Sequence, residues 1–104
     1  MYRNYGTSSG KKTVSTQITT LPGAVLGIDV NPPDMCDSTI TIYDSNDGTT
    51  AGKNIVTEIK IDAGLASVNH EYNYPVAINE GIYVDLTTTG TPGETSYIVR
   101  FLVG

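Results

Sequence analysis

The stretch Ser38-Thr39-Ile40-Thr41-Ile42-Tyr43-Asp44-Ser45-Asn46-Asp47-Gly48 decides the fold. Its first six residues alternate polar and apolar, and they are mostly β-branched. A strand sends successive side chains to opposite faces, so Ile40 and Ile42 point inward and Thr39, Thr41 and Tyr43 outward. Asp44 to Gly48 then reads as a hairpin turn. Asn and Asp side chains there bond their own backbone, and Gly48 takes a positive φ.

The same pattern extends in both directions. Upstream, residues 13–21 are β-branched, with Val14 and Ile18 on one face, and Pro22-Gly23 marks a turn. Residues 24–30 form a strand with Ala24, Leu26, Ile28 and Val30 on one side, stopped by Asn31-Pro32-Pro33-Asp34. Downstream, residues 53–61 place Ile55, Ile59 and Ile61 on one face, where Thr57 interrupts the run and suggests a bulge or twist. Residues 66–72 turn Val68 inward. Tyr72-Asn73-Tyr74-Pro75 reads as a turn or kink; an aromatic-Pro bond leans towards cis, which makes Tyr74-Pro75 a candidate, but trans is the expected form. Residues 76–81 and 82–86 follow as strands, the second with Ile82, Val84 and Leu86 inward. Residues 87–94 form a flexible loop. In the last strand Val99, Phe101 and Val103 share one face, and Ile98, Arg100 and Leu102 the other. The one candidate turn of helix, residues 62–65, contains a glycine and is weak.

Seven or eight short strands at regular spacing predict an all-β fold, a single antiparallel β-sandwich of jelly-roll type. The chain has 104 residues, room for one core. Residues 13–104 form the sandwich domain. Residues 1–12, rich in Gly, Ser and Asn, form a flexible arm.

Charge is scarce, at 16% of residues, and unevenly placed. Arg3, Lys11 and Lys12 precede the first acid, Asp29, and the net charge is −5. An acidic body repels phosphate, which argues against nucleic acid as a partner. No apolar run reaches the ~20 residues of a membrane helix, and the start lacks the apolar stretch of a secretory signal. The chain is thus expected to be made in the cytoplasm, and to stay there or leave in an assembled particle. Cys36 is the only cysteine, so no intrachain disulfide and no zinc–thiolate cluster can form; a buried or idle thiol is expected.

Chemistry-bearing motifs are few. His70 is the sole histidine, and Asn69 and Glu71 beside it point to the opposite strand face. Asp44 to Gly48 fails as an EF-hand loop, because Gly48 stands where a ligand belongs and Ile55 where a glutamate is needed. A looser ion site on Asp44, Asn46 and Asp47 stays open. No phosphate-binding glycine motif occurs. Tyr43, Tyr72, Tyr74, Tyr83 and Tyr97 are read as outward or in turns, suited to sugar stacking or to contacts between protomers. The expectation is a protein with no catalytic residues, cofactor or metal.

Laid out in order, the polar arm, "TTLPGAVLGIDV", "STITIYDSNDGTTAG" and "YPVAINEGIYVDLTTTGT…SYIVRFLVG" resemble the small β-sandwich structural proteins of tailed-phage particles. The resemblance spans about residues 18–104. It implies a virion component on the capsid surface: a decoration or cement protein, or an auxiliary head protein, assembled as a symmetric oligomer, a trimer above all. The implied partner is the major capsid protein of the shell. The alternative is a receptor- or glycan-binding module of a head fibre or tail. The arm and the last strand are the expected contact regions: Tyr2, Arg3, Tyr5, Lys11 and Lys12, with Ile98, Arg100 and Leu102. There the aromatics supply area and the bases meet acidic shell residues.

Overall fold

The strand pattern closes into two four-stranded antiparallel sheets in the computed structural model, which describes residues 6–32, 36–62, 67–90 and 95–103. The elements are β1 (Thr7–Ser8), β2 (Thr16–Thr19), β3 (Gly23–Asn31), β4 (Cys36–Asp44), β5 (Ile55–Ile61), β6 (Val68–Ile78), β7 (Ile82–Gly90) and β8 (Ser96–Val103). One sheet runs β1-β8-β3-β6 and the other β2-β7-β4-β5. This order arises when a long hairpin ribbon rolls up. The ribbon pairs β4 with β5, β3 with β6, β2 with β7 and β1 with β8. Rolling adds β3 to β8 and β4 to β7. The result is a jelly roll, as the sequence predicts.

The core lies between the sheets. Ile40 and Ile42 of β4 are fully buried, as their alternation requires, and Ile82 and Val84 of β7 join them. Facing them are Val25, Ile28 and Val30 of β3 and Tyr97, Val99 and Phe101 of β8. Each such aliphatic side chain contributes about 1.5–3 kcal/mol by leaving water. Ser38 and Thr95 are buried at one end and satisfy each other through a 2.7 Å hydroxyl–hydroxyl bond.

Bulges change the inward set. On β3 no residue of β8 stands opposite Leu26, because Val25 pairs with Phe101 and Gly27 with Arg100. One extra residue reverses the parity, so Val25 joins Ile28 and Val30 inside, whereas the sequence reading put Ala24 and Leu26 there. On β5 the register shifts between Thr57 and Ile55. The bulge expected at Thr57 is therefore present. It turns Ile55 out to 56% exposure and brings Val56 against the core. On β6, residues 72–75 together stand opposite the single Leu26. The expected kink is thus a wide bulge within one strand, with no cis peptide. Pro75 is tolerated because β6 is an edge strand, where a missing N–H faces no partner.

Other expectations change for similar reasons. Val14 precedes β2 and is 66% exposed. Val103 ends β8 beyond the reach of the core and is exposed. Thr87 to Gly90 do not loop; they continue β7 in register with β4 as far as Cys36. Tyr97 is not outward but 1% exposed, because it alternates in phase with Val99 and Phe101. The chain from Gly6 on, expected as part of the arm, lies along β8. Thr7 pairs with Phe101, the Ser9 amide donates to the Val99 carbonyl at 2.8 Å, and Lys12 and Tyr97 exchange two bonds of 2.9 Å. An unpaired β8 edge offers amides and carbonyls that even a Gly/Ser-rich segment can satisfy. Residues 1–5, Pro33 and Asp34, the Cys36 thiol, residues 63–65 of the weak helical turn, residue 66 and residues 91–94 lie outside the described residues and side chains.

Candidate functional site

Of the five expected contact residues that the structure describes, four gather on one side, Lys11 lining a groove with Ile98, whereas Lys12 stands opposite Tyr97 and shares its inner face. Ile98, Arg100 and Leu102 lie on the outer face of the β1-β8-β3-β6 sheet, and Lys11 and Lys12 flank β8. Tyr2, Arg3 and Tyr5 lie outside the described residues.

Arg100 is the centre of this face. Gly27 of β3 is paired on one side with Arg100 and on the other with Glu71 of β6. With no side chain between them, the guanidinium reaches across: Nη2 pairs with Glu71 Oε1 and Nη1 with Asp29 Oδ2 at 3.1 Å. Asp29 also accepts from the Asn69 amide. Arg100 is therefore a clasp over three strands, already held by two carboxylates. Leu26 and Leu102 close together over Gly6, whose φ of 81° favours glycine. The sequence reading missed this clasp, although a lone glycine within a strand is a signal for close approach.

A Cβ on Gly27 would lie 2.8 Å from Arg100 Nη2 and 2.9 Å from both Glu71 Oε2 and the His70 carbonyl. Gly27→Ala is expected to lower stability by about 1–3 kcal/mol, measured by urea unfolding. Adding Arg100→Ala to that variant should recover part of the loss. No recovery would show that the clasp is not what the methyl disturbs.

Beside Ile98 a groove of about 430 Å³ opens, lined by Lys11, Asp29, Asn31, Ser67, Asn69 and Ser96. Its walls are amides and hydroxyls, and Ser67 donates to Asn31 across it. His70 stands apart from the groove. It shares a face with Ile28, its partner on β3, and its ring meets Tyr72 edge-on at 4.9 Å. Tyr74 is 84% exposed in the β6 bulge. Tyr43 and Tyr83 are cross-strand neighbours on the outer face of the other sheet.

The turn after β4 spends its carboxylates internally. Asp44 accepts the amides of Asn79, Glu80 and Gly81 at 3.0, 2.8 and 3.3 Å. Asp47 accepts the Thr49 amide at 3.0 Å and the Ser45 hydroxyl at 3.2 Å. The Thr49 hydroxyl and amide hold its carboxyl below the ordinary range. Gly48 has φ 76°, as the hairpin reading requires. Gln17, also unforeseen, donates its amide nitrogen to the carbonyls of Thr19, Ser45 and Ile82 at 2.7–3.0 Å, tying β2 and β7 to this turn. Among the described residues no three His, Cys, Asp or Glu side chains converge as a metal site would need, and no helix is long and apolar enough to cross a membrane. No family model, curated protein or solved structure matches the chain.

Proposed function

We propose that the protein is a non-enzymatic structural component of a phage particle, bound to the major capsid protein on the outside of the shell as a symmetric homo-oligomer. One observation carries this reading. The polar side chains best suited to chemistry, Asp44, Gln17, Asp29, Glu71 and Arg100, are committed to holding strands and turns of the jelly roll itself. Such a rigid sandwich works through its surfaces. The resemblance to small phage sandwich proteins supports the same role. Lys11 and Ile98 supply a basic and apolar strip on β8's outer face, and many weak copies of one contact add up on a symmetric shell.

The test is binding of the purified protein to purified phage shells, followed by sedimentation. Saturable binding in a fixed ratio to the capsid protein is expected, and Lys11→Glu should weaken it by about ten-fold. A protein that stays in the supernatant with every shell offered would defeat the proposal.

The groove beside Ile98 favours a second reading, a receptor- or glycan-binding module. Amides, hydroxyls and a carboxylate beside an aliphatic floor suit a sugar's hydroxyls and its apolar face. A glycan array separates the two. Reproducible sugar hits lost in Asn69→Ala, without shell binding, would favour the module.

A further inference from the structure

Three of the four sheet edges are closed by their own construction. β1 is two residues long. β2 is four residues long and carries a register shift. β6 sets Pro75 and a wide bulge in its middle. Short strands, bulges and proline keep sheets from adding strands. The β5 edge has none of these over residues 57–61, which pair in unbroken register with β4. No described strand lies on its far side.

The side chains along that edge form a self-complementary row. Thr57, Ile59 and Ile61 share the inner face, because they pair with Ile42, Ile40 and Ser38. Ile59 is only half-buried at this edge. Glu58 and Lys60 occupy the outer face, both exposed, 3.6 Å apart along the same strand. Neither charge points inward, where it would block a second strand, and outward charges of opposite sign can be matched across a strand pair.

We propose that β5 pairs antiparallel with β5 of a second copy about a two-fold axis at Ile59. Glu58 of each copy then faces Lys60 of the other. Directly opposed residues share a face, so allowed registers differ by steps of two. A centre at residue 58 sets Glu58 against Glu58, and a centre at residue 60 sets Lys60 against Lys60. Only the centre at Ile59 opposes unlike charges, and it does so twice. It also covers Ile59 with its counterpart and joins the two β2-β7-β4-β5 sheets into one of eight strands. The contact is two-fold, where the resemblance implies a trimer. It does not rest on the shell-binding reading, so either can fail without the other.

Sedimentation equilibrium of the full chain across the micromolar range is expected to give a dimer. Glu58→Lys and Lys60→Glu should each raise the dissociation constant by about ten-fold or more, since each sets like charges together twice. Mixing these two variants should restore dimers, now mixed ones, and the double exchange Glu58→Lys/Lys60→Glu should restore the homodimer. Both side chains are exposed, so circular dichroism of the single variants should match the parent. A monomer at every concentration, a trimer, or a dimer indifferent to both reversals would overturn the proposal.

Discussion

Tyr97→Ala is expected to be the most damaging single change, lowering stability by about 3–5 kcal/mol and the melting temperature by about 15 °C or more. The ring is the largest fully buried side chain of the described core, so its removal leaves a cavity where β8 meets β3. Its hydroxyl donates to the Val14 carbonyl at 2.6 Å, and its backbone exchanges two bonds with Lys12. One residue thus fastens the segment before β2 to the core. Burial pushes the phenol's ionisation above the ordinary tyrosine range, with the Thr16 hydroxyl pulling partly back. Tyr97→Phe keeps the ring and loses only the hydroxyl bond, about 1 kcal/mol. Thermal melts of both variants test this. Equal losses would mean that the hydroxyl, not the volume, holds the site.

Asp44→Ala ranks second, at about 3 kcal/mol, because it takes the acceptor from three backbone amides that donate to it. Asp44 is 6% exposed at the end of β4. Burial alone would raise its pKa, but the amides of Asn79, Glu80 and Gly81, with Lys53 nearby, prevail and hold it below 3.8. Lys53 binds Glu80 at 2.7 Å and is held above its ordinary value, first by that bond. The sign for Asp44 follows from proton binding. The unfolded carboxyl takes up its proton at a higher pH than the folded one. Its contribution is therefore complete above the unfolded value and drains away as pH falls through the lower folded one. Urea unfolding at pH 7 and at pH 3 should show a smaller gap between parent and Asp44→Asn at the lower pH. A gap independent of pH would show that the charge is not what binds the turn.

Both residues show how far a sequence reaches. Asp44 is legible as a turn former, because Asp-Ser-Asn-Asp-Gly after an alternating strand is a local pattern. That it binds the β6–β7 turn, 36 residues away at Glu80, is not local and leaves no periodic trace. Tyr97 reads as outward when judged as an interface-prone tyrosine, yet it alternates in step with Val99, Phe101 and Val103 and belongs inside. A tyrosine is amphipathic, and only the Val14 carbonyl shows where its hydroxyl finds a partner. That Asn69 and Glu71 face away from His70 was legible from alternation alone: His70 stands opposite Ile28, and its two neighbours opposite Asp29 and Gly27. The Asp29–Arg100–Glu71 clasp was not visible, because its members are distant in sequence and meet over a glycine.

Alternation and turn chemistry in the chain determined that it is all-β, which residues of β4 and β7 face inward, and where the β4–β5 hairpin closes. These are local properties, written in period-two patterning and in the left-handed conformation that Gly48 supplies. Tertiary structure alone decided the inward faces of β3 and β5, because each bulge needs a neighbouring strand to define which residue is extra. It also decided that residues 6–12 lie along β8 and that β5 keeps a bare edge. Pairing partners are chosen by hydrogen-bond groups that every residue carries alike, so side-chain identity does not reveal them.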